Sequence, residues 1–259
     1  MTGLIRSELR KWRTTRMWYG LTLGGMLAVA VITLITALTA GSGGGNNGPV
    51  IQPLSDPAQV RTVYGTAFGI GSLFTLILGV IAICGEFRHQ TITPTFLASP
   101  RRNRVVQAKV VSVVLAGALS GILMIAAGLL VGAIVISARG FATRLGSGDI
   151  QQVLALMVLG LVVWSVLGLG VGTLLKNQVA AILVVVGFTF IAEPLLQAGL
   201  NALDWFSVSK FLPGQASMAM VRTTGEHLQS WWGGTLTLLV YAAVAAALGT
   251  FLTLRRDVT

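Results

Sequence analysis

The sequence predicts an all-α fold, that of a polytopic membrane protein with six transmembrane helices. Its 259 residues are 54% hydrophobic and only 10% charged, whereas a soluble domain carries about 25% charged residues. The apolar residues also collect in runs that reach the roughly 20 residues needed to cross a bilayer. The net charge of +10 comes from basic residues beside these runs, where they set membrane orientation, so we expect no nucleic-acid partner.

We interpret residues 1–259 as a single transmembrane domain whose first span is retained. The first apolar run, residues 18–40, is longer than the apolar part of a cleaved signal peptide, which covers about 7–15 residues. The expected segments are an interfacial helix at 1–17, spans at about 18–40, 63–84, 105–137, 150–175, 179–196 and 231–254, a loop at 85–104, and a re-entrant segment at 197–229.

The N-terminal segment has the pattern of a basic amphipathic helix. Ile5, Leu9 and Trp12 recur at helical spacing, and Arg6 and Arg10 follow one step round the helix. Such a helix lies in the membrane interface, with its arginines near anionic lipid headgroups. The alternative is a frayed basic tail that only sets orientation.

Charge asymmetry predicts the orientation. Most of the 18 lysine and arginine residues lie on the side that holds both termini, residues 85–110 and residues 176–178. The positive-inside rule therefore places the N- and C-termini and the 85–104 loop in the cytoplasm. We expect Lys109, which follows the loop, to snorkel to the membrane boundary. The 197–229 segment is then extracellular, with short helices hinged at Pro213-Gly214 that dip into the outer leaflet.

The 85–104 loop carries the signals of a short helix. Thr93-Pro94 is typical of a helix start and Ser99-Pro100 of its end, so residues 94–99 would expose Phe96 and Leu97 between arginines. Two interpretations fit equally well. These apolar residues could contact a partner protein, or they could pack on the chain's own helices.

Small residues predict close helix packing. The third span carries four glycines on one helix face: Gly117, Gly121, Gly128 and Gly132. Glycine at this spacing lets helix backbones approach each other. We favour contacts within the subunit over contacts between subunits, because six spans need many internal seams.

The sequence gives no sign of catalysis by this chain. A phosphate-binding loop needs a Gly-Lys pair, and the sequence contains none. The glycines of Gly168-Leu-Gly-Val-Gly172 lie inside an apolar span and lack the fingerprint spacing, so helix packing is their expected role. One cysteine and two histidines offer no metal-ligand pattern. We therefore expect no enzyme activity and no cofactor or metal in this chain.

Glu193 is the one acidic residue inside a predicted span, and Pro194 follows it. A charge in the bilayer costs several kcal/mol, so the position invites a functional interpretation as a gate or a proton-linked site. In the alternative, the carboxylate reaches outer water or caps the next short helix. Pro194 should break or bend the span there.

Several of these motifs resemble the permease subunits of the type-2 ABC exporter family. The resemblance rests on Gly85-Glu86-Phe87-Arg88, on Thr91-Ile92, on Leu97 with Ser99-Pro100, on Lys109, and on Leu212-Pro213-Gly214-Gln215-Ala216 before the last span. It extends over the chain in span count, basic N-terminal helix and outer segment. Of these features, the loop motif is the specific one.

The resemblance implies the membrane subunit of an ATP-driven exporter in the plasma membrane of a bacterial cell. A separate ATP-binding subunit, which holds ATP and Mg, would dock on the 85–104 coupling loop. A second permease subunit, identical or related, would complete the dimer, with membrane lipids around it. The implied contact residues for the ATP-binding subunit are Glu86, Phe87, Arg88, Thr91, Ile92, Phe96, Leu97, Arg101 and Arg102.

Two further expectations come from the same resemblance. Glu86 and Arg88 would hold the loop's geometry through a salt bridge or contact the partner. Substrate would pass between the two permeases near spans 2 and 5, along Phe68, Phe74, Phe188 and Phe190. The alternative function is a secondary transporter or a non-transport membrane sensor or assembly component. A secondary transporter usually carries charges near the membrane midplane, and the single Glu193 near a boundary argues against it.

Overall fold

The computed structural model describes residues 2–14, 16–42, 51–90, 102–175, 177–222 and 228–255. The described secondary structure is entirely helical, and six helices are long and apolar enough to cross a membrane. This confirms the predicted fold class. The helices are α1 (Thr2–Thr14), α2 (Arg16–Thr39), α3 (Pro57–Arg88), α4 (Arg102–Ala138), α5 (Gly148–Leu175), α6 (Gln178–Ala202), α7 (Phe206–Ser209), α8 (Pro213–Met220) and α9 (Trp231–Arg255).

Helix α3 extends beyond the predicted second span at both ends. It begins at Pro57, where Asp56 caps it by accepting a hydrogen bond from the Ala58 N–H at 2.8 Å. Proline suits this first position because its missing N–H has no helical partner there. At the other end, the Gly85-Glu-Phe-Arg88 stretch, which was expected to open the loop, forms the last helical turn.

Helices α3 and α5 form the centre of the bundle. In an apolar 18-residue stretch of each helix, 61% of the α3 residues and 67% of the α5 residues are buried, compared with only 17% of the α6 residues. Glycines bring their backbones together, because a Cβ atom at Gly79 would collide with the Ser165 carbonyl and one at Gly168 with the Leu76 carbonyl. At these two points α3 and α5 therefore meet backbone to backbone, with no side chain between them. We call this contact the backbone seam.

The glycine face of α4 packs against three helices of the same chain. A Cβ atom at Gly117 would meet Ser165, and one at Gly121 would lie 3.0 Å from Leu161. Both of those neighbours belong to α5. Towards the other end, Gly128 faces Ala67 and Val29, while Gly132 faces Tyr64 and Thr33, so this part of α4 packs on α3 and α2.

Pro194 does not break α6. Residues Phe188–Ala192 form a π-helical turn between two α-helical parts, Gln178–Gly187 and Glu193–Ala202. The Glu193 N–H donates to the Phe188 carbonyl five residues back. Proline lacks the N–H of an α-helical bond and its ring crowds the preceding turn. The wide turn that ends just before Pro194 accommodates the proline without interrupting the helix.

The segment after α6 contains the two short helices α7 and α8, with Pro213 at the start of α8. Helix α8 packs on α5 and α9, and the Trp164 indole donates to Ser217 Oγ at 3.0 Å. At the same end of the bundle, Asp149 pairs with Arg61 at 3.2 Å and with Arg222 at 2.8 Å. The last turn of α3, the start of α4 and helix α1 lie together at the opposite end, which we call the basic end.

The backbone seam can be tested with two glycines of the same helix. Gly79→Ala should lower the thermal unfolding temperature of the purified protein in detergent, because the new methyl group collides with the α5 backbone. Gly69→Ala is the matched control, since nothing lies within 4 Å of a Cβ atom at that position. Both changes gain the same helix propensity, about 1 kcal/mol. Equal unfolding temperatures for the two variants would contradict the seam.

Candidate functional site

Four ionisable side chains from three helices meet at the basic end. We call Glu8 and Lys11 of α1, Glu86 of α3 and Lys109 of α4 the four-charge cluster. Lys109 Nζ lies 2.8 Å from Glu86 Oε1 and 3.0 Å from Glu8 Oε2. Lys11 Nζ lies 2.7 Å from Glu86 Oε1 and also contacts Glu8 Oε1. Each carboxylate therefore contacts both ammonium groups.

The cluster is buried and electrically balanced. The side chains of Glu86 and Lys109 are each 9% exposed, that of Glu8 is equally buried, and only Lys11 is open to solvent, at 44%. Lys109 Nζ also donates to the Ala82 carbonyl at 3.3 Å. Two positive and two negative groups cancel, so the four side chains together carry no net charge.

The α1 members of the cluster titrate outside the neutral range. Burial raises the pKa of Glu8, but the nearby Lys109 and Lys11 outweigh it, and the pKa is lowered. Burial lowers the pKa of Lys11, but its bonds to Glu8 and Glu86 outweigh this, and the pKa is raised. Stability from Glu8 is therefore lost only as the pH falls through its lowered pKa. Stability from Lys11 is lost only as the pH rises through its raised pKa.

Two cavities flank the cluster. One, of about 340 Å³, lies between α1 and the last turns of α3, and all four cluster residues line it together with His89. The other is a narrow apolar crevice that reaches Gly249 of α9, where Glu86 and Lys109 are its charged lining residues. Glu86 and Lys109 therefore line both cavities.

The structure places the described residues of the predicted coupling loop largely in helices α3 and α4 rather than in a loop. Glu86 lies in the cluster, where its salt bridges go to Lys11 and Lys109, while Phe87 packs against the core and Arg88 is exposed. Arg102 begins α4. Five predicted contact residues lie outside the described residues: Thr91, Ile92, Phe96, Leu97 and Arg101.

The expectation that Lys109 snorkels to the boundary is wrong. Its ammonium group is buried because Glu8 and Glu86 supply two carboxylates inside the bundle, and paired carboxylates replace the water that snorkelling would seek. The sequence did contain a signal for this arrangement. Glu8 falls on the apolar stripe with Leu9 and Trp12, and a carboxylate on such a stripe needs a buried partner.

The four phenylalanines of the predicted substrate path separate into two places. Phe68 packs over Gly160 of α5, and Phe74 packs against Gly25 of α2. Phe188 and Phe190 lie in the π-helical turn of α6 and are exposed on the bundle surface. Among the described residues, two of these phenylalanines therefore lie between helices and two on the bundle surface.

Glu193 joins α6 to α8. Its buried carboxylate accepts a hydrogen bond from the Gly214 N–H at the start of α8. This geometry corresponds to the capping alternative of the sequence interpretation, since the unpaired N–H groups of a first helical turn are natural donors to a carboxylate. The neighbouring Pro194 is exposed.

Comparison with known proteins adds the family context. A family model described as ABC-2 family transporter protein matches residues 4–192, more than half of the chain. The matched region includes the four-charge cluster, helices α2 to α5 and the π-helical turn. No curated protein matches the chain.

The cluster predicts an order of stabilities among lysine variants. Lys109→Met should cost about 3–5 kcal/mol, because it leaves a negative excess among buried groups. Lys11→Met is the matched control and should cost less, since the Lys11 side chain is 44% exposed. Adding Glu86→Gln to Lys109→Met should restore part of the loss. Thermal unfolding of the purified variants measures this order, and a Lys11 effect equal to or larger than the Lys109 effect would contradict it.

Proposed function

This chain belongs to the ABC-2 family of transporter proteins, and we propose that it is the membrane subunit of an ATP-driven exporter. A permease component of this family is a multi-pass membrane protein and not itself an ATPase. In our proposal a separate ATP-binding subunit supplies ATP and Mg and docks on the cytoplasmic 85–104 loop. Transport is outward across the plasma membrane of a bacterial cell.

The observation that carries this proposal is the four-charge cluster. Helix α3 ends at Arg88 and α4 begins at Arg102, so the proposed docking loop connects these two ends. Glu86 and Lys109 hold the two ends together through their 2.8 Å contact, and Lys11 adds α1. A force applied to the loop would therefore reach three helices together.

The mechanism follows from this connection. When ATP brings the two ATP-binding subunits together, they displace the loop, and α1, the end of α3 and the start of α4 move with it. Helix α3 carries the motion into the bundle centre through its backbone seam with α5. The less buried helices then repack around this pair, which opens the substrate path outward.

A second permease subunit, identical or related, has a candidate surface on α6. This helix is long and apolar, yet only 17% of its apolar 18-residue stretch is buried within the chain. Phe188 and Phe190 lie on this exposed surface, close to where the resemblance places the substrate path. We propose that the second subunit packs near α6 and that substrate passes between the two.

Docking on the loop can be tested by co-purification in mild detergent. Phe96→Asp with Leu97→Asp should release the ATP-binding subunit and abolish transport-coupled ATPase activity, because charged side chains cannot fill an apolar contact. The permease itself should still insert. Leu203→Asp, an exposed apolar position at the other end of the bundle, is the control and should retain the complex. Recovery of no ATP-binding protein with the unmodified chain would refute the exporter function.

The α6 surface can be tested by cysteine cross-linking in membranes. The native Cys84 is the sole cysteine and is buried, so a Cys84→Ala background removes it. Leu183→Cys on α6 should give a cross-linked dimer with a short bifunctional reagent. Leu130→Cys on α4 is the control, since its exposure of 64% matches the 66% of Leu183. Cross-linking at Leu130 but not at Leu183 would place the second subunit elsewhere.

A further inference from the structure

A groove between α1 and α4 combines cationic and apolar walls. Its volume is about 430 Å³, and none of the four cluster residues is among its lining residues. Arg6 and Arg10, both exposed, line it one helical turn apart. Leu115 and Leu119 of α4 form the apolar floor. We call this space the α1–α4 groove.

The groove has a fixed wall of two indole rings. Trp12 packs against the hydrophobic core, and the Trp18 indole donates to Ser120 Oγ on α4 at 3.0 Å. Ser120 Oγ is also 3.0 Å from Thr22 Oγ1 of α2. The tryptophans are therefore held in place by the chain, and tryptophan is the residue favoured at the boundary between lipid headgroups and acyl chains.

The groove runs along the direction expected for a lipid molecule. Leu115 lies about 9 Å and Leu119 about 15 Å beyond Lys109 along α4, at 1.5 Å per residue. Both leucines are exposed on a helix long and apolar enough to span a membrane. The groove therefore begins at a cationic end beside α1 and continues into the apolar part of the span.

We propose that the α1–α4 groove binds an anionic phospholipid of the inner leaflet. Arg6 and Arg10 contact its phosphate and headgroup, since guanidinium groups are suited to phosphate oxygens. One acyl chain lies over Leu115 and Leu119, beside the two indole rings. A soluble phosphate would use the arginines and leave the apolar floor uncovered, whereas a phospholipid matches both.

Native mass spectrometry of the full chain in detergent tests this site without the ATP-binding subunit, so its outcome is independent of the exporter function. Phosphatidylglycerol should bind more tightly than phosphatidylcholine with the same acyl chains. Each of Arg6→Gln and Arg10→Gln should weaken phosphatidylglycerol binding about fivefold, since one cationic side chain near an anionic surface is worth about 1 kcal/mol.

Two further variants separate this site from general surface attraction. Arg104→Gln removes an exposed arginine of the same basic end that does not line the groove, and it should leave binding unchanged. Leu119→Trp should weaken binding because the larger side chain occupies the space proposed for the acyl chain, while both arginines are kept. An equal loss with Arg104→Gln, equal binding of the two lipids, or full competition by soluble glycerol phosphate would each overturn the proposal.

Discussion

The salt bridges of the four-charge cluster fix the relative positions of α1, α3 and α4 at the basic end. An ammonium group inside an apolar bundle is tolerated when carboxylates replace its lost water, and Lys109 has two of them. Those carboxylates come from α1 and α3, so the positions of three helices depend on one set of contacts. Sliding any one of them would separate opposite charges in a medium where separation is costly.

A second constraint makes the middle of the molecule stiff. Where glycines bring α3 and α5 into backbone contact, no side chain remains that could change rotamer and absorb a displacement. The loosely covered helices α2, α6 and α9 surround this central pair. This division separates a closely packed central pair of helices from loosely packed peripheral ones.

The sequence predicted the number of spans because hydropathy over about 20 residues is a strong signal. It predicted the end of α3 poorly, because an acidic and a basic residue after an apolar run look like a loop until their partners are known. Glu86 stays helical because Lys11 and Lys109 pair with it, and both lie far away along the chain. The prediction that Pro194 would break or bend the span could not decide between the two, because a π-helical turn leaves no clear mark in composition.

The order of the four charges along the chain bears on how the protein is made. Glu8, Lys11 and Glu86 are all synthesised before Lys109, which carries the contacts that join α3 to α4. Elongation at about 5–20 residues per second separates Glu86 from Lys109 by only a few seconds. Lys109, the one buried lysine or arginine among the described residues, therefore leaves the ribosome after both of its carboxylate partners, and its insertion into the membrane can coincide with its neutralisation.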